Sequence, residues 1–191
     1  MFERNEYTLF CGGHEGTEEV FGICAEQWGL NEVTLNFEGH PIARDRGLRV
    51  LSSEELLHGD VSMDIVSRHM ERSYAATPQL RGVFQTLYHI VNSGYQVFAA
   101  GWILSSNTVK GGTGWGVELA KLFNRPIHVF DLDKHEWLTW KGGQWVLEEH
   151  PVICHKTFCA TGTRDINDEA KLAIKDLFMR SFGAPIKQEV L

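Results

Sequence analysis

The chain has 191 residues, of which 43% are hydrophobic, and this composition suits one globular domain with a sizeable core. Its formal net charge of −7 argues against broad nucleic-acid binding, which needs a basic face. No run of about eighteen or more apolar residues is present, so a transmembrane helix is excluded. The first ten residues carry charges where a signal peptide needs an apolar run. We therefore expect a single cytoplasmic domain over residues 1–191 that has no membrane partner.

The four cysteines are Cys11, Cys24, Cys154 and Cys159, and no two of them form a CxxC pair. Isolated cysteines are usually small buried hydrophobes, and a cytoplasmic protein keeps them reduced. We accordingly expect no metal site and no cofactor.

The first half of the chain alternates between strand and helix patterns. In chain order it predicts a strand at 7–11, a helix at 17–29, a strand at 32–37, a polar loop with a short helix near 54–59, and helices at 62–74 and 78–94. Thr17 is the expected N-cap of the first helix, and Ser52 or Ser53 is expected to cap the short helix. Pro78 suits the first turn of the helix that it begins.

The second half continues the alternation. It predicts a strand at 95–104, a helix at 115–123, a strand at 126–132, a hairpin at 136–149, a strand at 152–160, and a last helix capped by Asn167 or Asp165. The continuous apolar run at 95–104 is typical of a central strand that is buried on both faces. The fold class is therefore α/β, a Rossmann-like three-layer sandwich with a mostly parallel sheet of about five strands plus a small hairpin near 136–149.

Three loops rich in glycine or small hydroxyl residues each follow a predicted strand and precede a predicted helix. They are CGGHEG at 11–16, KGGTGWG at 110–116 and ATGTRD at 160–165. The carboxyl ends of parallel strands share one edge of a sheet, where ligands of open α/β sheets bind. Helix N-termini there offer unpaired N–H groups, and glycine lets a phosphate approach them closely. The three loops predict a pocket for a phosphorylated or otherwise anionic ligand, although tight turns also need glycine.

The candidate ligand-binding residues are Gly12, Gly13, His14, Gly16, Asn107, Gly111, Gly112, Thr113, Gly114, Gly162, Thr163 and Arg164. His14 is either a general acid or base or an ordinary loop histidine. Arg164 suits bidentate binding of phosphate or carboxylate, or else pairs with a nearby acid. Trp115 either packs against the protein or stacks on a base.

The segment GGTGWGVE at 111–118 resembles the GGxGTxxE signature of the LOG-type nucleotide-binding proteins of the SLOG superfamily. Gly111, Gly112, Gly114 and Glu118 stand at the matching positions, whereas Trp115 replaces the usual threonine. The resemblance implies that these glycines hold a nucleotide phosphate. It also implies that Glu118 contacts the ribose and takes part in cleaving the N-glycosidic bond. Taken on its own, Glu118 is equally a first-turn glutamate favoured by the helix dipole.

Two further expectations come from the same resemblance. Members of this group use an arginine together with the glutamate, and Arg68 and Arg72 are the candidates here, or else lie on a solvated helix face. The GGHEG loop resembles the first glycine loop of SLOG proteins, and many such proteins self-associate, so we expect a homo-oligomer.

Three functions remain open at this stage. The first is binding of a nucleotide or nucleotide-derived ligand at the carboxyl edge of the sheet. The second is a phosphoribohydrolase-like N-glycosidase that acts on a nucleoside monophosphate, with Glu118 as its catalytic residue. The third is a non-catalytic interaction module that recruits a partner through the tryptophan-rich hairpin at 136–149.

Overall fold

The computed structural model describes residues 3–74 and 76–186. In chain order the elements are a 3-10 helix Arg4–Glu6, β1 (Thr8–Cys11), α1 (Thr17–Gln27), β2 (Asn31–Phe37), β3 (Arg49–Leu51), α2 (Ser53–Leu57), α3 (Asp60–Met70) and α4 (Pro78–Ser93). They continue with β4 (Gln96–Gly101), α5 (Thr113–Leu122), β5 (Ile127–Asp131), β6 (Glu136–Lys141), β7 (Gln144–Leu147), β8 (Thr157–Gly162) and α6 (Asp168–Phe182). Across these residues, no helix is long and apolar enough to cross a membrane.

The strands form one sheet in the order β3-β2-β1-β8-β4-β5-β6-β7. The first six strands of this order are parallel, and the β6–β7 hairpin adds two antiparallel strands at one edge. The last strand of the chain, β8, lies between β1 and β4. Strands β2 and β3, which follow β1 in the chain, are added on one side of the sheet, and strands β5, β6 and β7, which follow β4, are added on the opposite side. This reversal brings the carboxyl ends of β1, β8 and β4 together at a topological switch point.

Helices cover both faces of the sheet, and β4 shows how the core is divided. Phe98 and Ala100 pack on one side with residues of α1 and α6. Val97 and Ala99 pack on the other side with residues of α3, α4 and α5. All six residues of β4 are buried. The predicted central strand and the α/β class with a mostly parallel sheet are therefore confirmed.

The sheet has six parallel strands among the described residues, where the sequence predicts about five. The additional strand is β3, which lies in the polar segment that predicts only a loop and a short helix. It has three residues and pairs with Leu35–Phe37 of β2 at the edge of the sheet. Only Leu51 is buried within it. A short edge strand with a single buried residue leaves almost no alternating pattern to recognise.

The predicted range of the last strand and the predicted N-cap of the first helix are wrong. The last strand occupies Thr157–Gly162 instead of 152–160, because side chains hold the preceding segment. The Ile153 amide donates to Ser181 Oγ at 2.8 Å, and the Cys154 amide donates to Gln96 Oε1 at 3.0 Å. Thr17 is the first residue of α1 instead of its N-cap, since its hydroxyl donates to the Thr163 carbonyl.

The other predicted caps agree with the structure. Ser52 accepts a hydrogen bond from the Glu55 amide and forms a full capping box at the start of α2. Asn167 caps α6 by accepting from the Ala170 amide, and Pro78 begins α4. The helix predicted at 62–74 ends earlier, at Met70, because Glu71 adopts a left-handed backbone conformation with φ of 53°.

A buried ion cluster attaches segment 38–48 to the rest of the fold. Arg44 binds Glu32 of β2 through two hydrogen bonds of 2.8 Å, and Arg46 binds the same carboxylate at 3.2 Å. The Glu32 side chain is 0% exposed. A Cβ at Gly22 would lie 2.4 Å from Arg44 Nε, so glycine on α1 makes room for this guanidinium. The segment carries His40 to the carboxyl edge of the sheet.

Glu26 and Glu32 both bind Arg44, and we expect their removal to lower the free energy of unfolding by unequal amounts. Glu32→Ala leaves two arginines beside an empty buried position, so we expect the free energy of unfolding to fall by about 3 kcal/mol. The control is Glu26→Ala, because Glu26 also binds Arg44 but its side chain is 41% exposed. We expect that change to cost less than about 1 kcal/mol. Urea denaturation of both variants measures the difference, and equal losses would refute it.

Candidate functional site

A cavity of about 470 Å³ opens where the carboxyl ends of β1, β8 and β4 meet. Each of the three loops selected from the sequence contributes to it. The loop residues that line it are His14, Trp102, Lys110, Gly111, Gly112, Thr113, Gly162, Thr163, Arg164 and Asp165, together with Glu18 of α1 and Thr161 at the end of β8. Apolar residues of α4, including Phe84 and Leu87, line another side. The cavity therefore combines polar loop groups with an apolar wall, as small-molecule sites commonly do.

The loop after β1 is closed by its own helix. One oxygen of the buried Glu18 carboxylate, Oε2, accepts hydrogen bonds from the Gly12 amide at 2.8 Å and the His14 amide at 3.2 Å. It also contacts His14 Nδ1 at 3.0 Å. These amides are the groups that a bound phosphate would otherwise use. The first glycine loop is thus occupied by an internal anion, and it presents His14 to the cavity.

His14 also meets a second histidine from the loop after β2. The two Nε2 atoms of His14 and His40 lie 3.0 Å apart. His40 is held by stacking on Phe37, with ring centroids 4.9 Å apart, and its carbonyl accepts from Asn36 Nδ2. A carboxylate, an imidazole and a second imidazole therefore form a continuous hydrogen-bonded chain at the edge of the cavity.

The two histidines differ in their electrostatic surroundings. Burial lowers the pKa of His14, but the hydrogen bond and the charge of Glu18 outweigh it, so the pKa of His14 is raised above its usual value. Burial also lowers the pKa of His40, and the charges of His14 and Arg164 lower it further. His14 is consequently the member of the pair that takes up a proton first.

The loop after β4 lines the cavity with Lys110, Gly111 and Gly112. Gly112 is the N-cap of α5. No side chain among the described residues caps this end of the helix, which therefore retains unpaired N–H groups. A Cβ on Gly111 or Gly112 would meet nothing within 4 Å, so space for a ligand lies beside both. Gly114 differs, since a Cβ there would lie 2.1 Å from the Val109 carbonyl oxygen. Two glycines of the signature thus face open space, and the third is needed for packing.

The loop after β8 supplies an exposed arginine. Arg164 lines the cavity, and its side chain has neither a hydrogen bond nor an ion pair with the residues that the structure describes. Gly162, the last residue of β8, is a packing glycine, because a Cβ there would lie 2.4 Å from Thr17 Oγ1. The Thr163 carbonyl accepts from both the amide and the hydroxyl of Thr17. The loop is therefore fixed to α1 while its guanidinium stays available.

Trp115 belongs to the core. It is buried and stacks on Phe84 with ring centroids 4.2 Å apart. Phe84 in turn lines the cavity. Of the two alternatives for Trp115, packing is the one realised, and the tryptophan supports the apolar wall from behind.

Glu118 lies in a second cavity of about 360 Å³. Its buried carboxylate forms an ion pair with Lys121 at 2.9 Å, and its other oxygen lies 3.6 Å from His69 Nε2. Lys121 Nζ sits over the Trp140 ring at 3.7 Å from the centroid. Glu118 does not line the first cavity, so the structure separates it from the two open glycines.

Asn107 also belongs to this second cavity. Its carbonyl accepts hydrogen bonds from Lys121 Nζ at 2.7 Å and from Trp145 Nε1 at 3.0 Å. Arg72 lines the same cavity and donates to the Gly111 carbonyl at 3.3 Å, which links it to the glycine loop. Trp137 of the hairpin is buried, and Trp140 and Trp145 contact each other edge to face. The three hairpin tryptophans thus contact residues of the same chain.

The structure therefore sorts the predicted site residues into three groups. The first cavity is lined by His14, Gly111, Gly112, Thr113, Gly162, Thr163 and Arg164. The second is lined by Asn107 and Glu118. Turns and close packing account for Gly12, Gly13, Gly16 and Gly114.

Sequence reasoning missed several groups that line the first cavity. Glu18 matters most, and its spacing of four residues from His14 was an available signal that the two side chains meet. Trp102 belongs to no recognised motif, and Asp165 was considered only as a loop residue and a possible helix cap. The residues of α4 that line the cavity were not among the candidates. Among the described residues, no group of three or more His, Cys, Asp or Glu side chains is arranged to hold a metal ion.

Comparisons with known proteins identify no relative of this chain. No protein-family model matches it, and neither the curated proteins nor the solved structures include a significant match.

Proposed function

We propose that the first cavity binds a nucleotide or a nucleotide-derived ligand whose phosphate lies at the N-terminus of α5. The observation that carries this proposal is the end of α5 beside Gly111 and Gly112, where none of the described residues caps the helix or fills the adjacent space. A helix N-terminus attracts anions through its N–H groups and its dipole. The resemblance of this segment to the LOG-type signature points to the same ligand class.

The charges around the cavity support an anionic ligand. Arg164 has no side-chain partner among the described residues, and a guanidinium binds phosphate oxygens well. Lys110 lines the same cavity, with Nζ 5.2 Å from the centre of the Trp102 ring. The first loop cannot accept the phosphate as it stands, because Glu18 already occupies its amides. The α5 end is therefore the favoured phosphate position, despite the net charge of −7.

The apolar wall supports a ligand that has more than a phosphate. Phe84 and Leu87 line one side of the cavity, and Trp102 comes from the loop after β4. A purine or pyrimidine ring can pack on such surfaces, since every base has an apolar face. A bare inorganic anion would leave this wall without a partner.

Gly112→Asp tests the phosphate position. The new carboxylate would lie at the N-terminus of α5, where it stabilises the helix by about 0.3–1 kcal/mol but repels a phosphate. We expect AMP, GMP, CMP or UMP at about 100 times its Kd to stabilise the wild type by about 2.7 kcal/mol, which raises Tm by several degrees. We expect no such rise for Gly112→Asp, although this variant alone should melt no lower than the wild type.

Two controls sharpen the result. Gly112→Ala adds a methyl group in open space and should keep the ligand response. Adenosine has no phosphate and should give a much smaller shift than AMP. If none of the four monophosphates stabilises the wild type, the proposal fails.

Arg164 is expected to contribute a charge-assisted contact of about 1.5–3 kcal/mol. Arg164→Gln should therefore weaken binding of the responding nucleotide by at least about tenfold. The apo stability should not change, because the native side chain has no partner among the described residues. Arg68→Gln is the matched control, since Arg68 is 80% exposed and pairs with Asp64 outside the cavity. Equal affinities of the two variants, measured by titration calorimetry, would exclude Arg164 from the site.

A second candidate is N-glycosidase activity, and one observation favours it. Glu118 and Arg72 line the same cavity, and Arg72 contacts the carbonyl of Gly111 in the glycine loop. A carboxylate could stabilise the cationic sugar that forms when the bond to the base breaks. The ion pair of Glu118 with Lys121 would have to open for this role.

Free base released from a nucleoside monophosphate, detected by chromatography, tests this second function. We expect Glu118→Gln to lower the rate at least about a hundredfold, as the loss of a charge that stabilises a transition state does. Asp64→Asn, which changes an exposed acid of α3, should leave the rate unchanged. Absence of free base with all four monophosphates, or full activity of Glu118→Gln, would reject this function and leave the binding proposal in place.

A further inference from the structure

The chain of Glu18, His14 and His40 gives the first cavity a property that phosphate binding alone does not require. We propose that the cavity takes up its anionic ligand together with one proton, and that His14 carries this proton. The inference rests on the proposed nucleotide binding and concerns how that site is controlled. It follows from the hydrogen-bond geometry of three side chains and from the charges that face them.

Glu18 keeps one nitrogen of His14 protonated in both the neutral and the cationic form of the ring. Its Oε2 atom accepts from two backbone amides, which fix the carboxylate in place. The third contact of the same oxygen is His14 Nδ1, so this nitrogen must be the donor. Any change in the protonation of His14 therefore occurs at Nε2, which faces His40.

The contact between the two Nε2 atoms holds one proton and no more. At 3.0 Å it is a hydrogen bond, which needs one donor and one acceptor. If His14 is neutral, His40 donates; if His14 is cationic, His14 donates and His40 is neutral. Both states keep the contact and neither ring has to move, but the proton of neutral His40 lies on Nε2 in the first state and on Nδ1 in the second. A state with two cationic rings breaks it.

The charges around His14 set the balance between these states. Glu18 favours the cationic form, whereas Arg164 opposes it. Three other titratable groups face His14 or share its cavity, namely His40, Lys110 and Asp165. A bound phosphate would offset the positive charge of Arg164 and would itself favour a cation nearby. Ligand binding therefore stabilises the proton on His14.

The sign of the pH dependence follows from linkage. The pKa of His14 is already raised above its usual value in the free protein, and an anionic ligand raises it further. Between the free and bound pKa values, binding one ligand requires uptake of one proton. Affinity is therefore highest below the free pKa, and it falls by up to about tenfold per pH unit through this interval. The second ionisation of the phosphate, near pH 6, acts in the opposite direction and is nearly complete above pH 7.

Calorimetric titration of the protein with AMP between pH 7 and 9, in buffers of different ionisation enthalpy, tests the proposal. We expect the wild-type Kd to rise with pH, with a slope of up to tenfold per unit, and each bound AMP to be accompanied by up to one proton. His14→Gln should bind more weakly at pH 7 and lose both the slope and the proton uptake. A measurable but pH-independent wild-type Kd, or an unchanged slope in His14→Gln, would overturn the inference and leave nucleotide binding intact. Absence of binding at every pH would overturn both.

A ligand-free measurement gives an independent arm. In ¹⁵N NMR of the imidazole rings, Nδ1 of His14 should remain protonated throughout the titration while Nε2 titrates. Glu18→Gln removes the charge that favours the cation, so the His14 midpoint should shift to lower pH. Glu15→Gln changes an exposed neighbour that forms no hydrogen bond or ion pair with the ring, and it should leave the midpoint in place. Equal midpoints in the two variants would show that Glu18 does not control His14.

Discussion

The parallel pairing of β8 between β1 and β4 is the constraint on which the whole site depends. Cys159 of β8 pairs with Phe10 on one side and with Val97 on the other, so the three strands end at the same edge. Because the directions of growth diverge from this point, the loops that follow the strands surround a crevice that no helix fills. The last strand of the chain thereby brings the loop of Arg164 between two glycine loops that lie far before it in the sequence, at 11–16 and 110–116.

Two helix N-termini meet at this crevice, and they differ in whether an internal carboxylate lies beside them. At α1 the carboxylate of Glu18 folds back onto the amides of the preceding loop, so the protein supplies its own anion. At α5 none of the described side chains does so, and open space lies beside Gly111 and Gly112. Both loops are rich in glycine and precede a helix. The loop before α1 is closed by Glu18 and positions His14, whereas the loop before α5 is open and suits a ligand. This asymmetry explains how a chain with a net charge of −7 can present a local site for anions.

Much of the fold could be predicted from the chain alone. The apolar run around β4 indicated a strand buried on both faces, and the capping residues Ser52 and Asn167 marked helix starts, because these signals depend on neighbours within a few positions. The short edge strand β3 could not be predicted, since one buried residue carries no period. Within the site, the three loops were found through their glycines. The sequence could not distinguish Gly112, which faces open space, from Gly114, which abuts the carbonyl of Val109.

The sequence by itself determined the α/β class, the three loops and the candidate residues, because periodicity, turns and caps are local properties of the chain. The tertiary structure alone decided how these residues are shared between sites. It assigned Arg164 and His14 to one cavity and Glu118 to another, and it placed Glu18 in the amides of the first loop. Such decisions depend on strand order and on the directions of side chains from different elements. Contacts between residues far apart in sequence set both, and no local pattern encodes them.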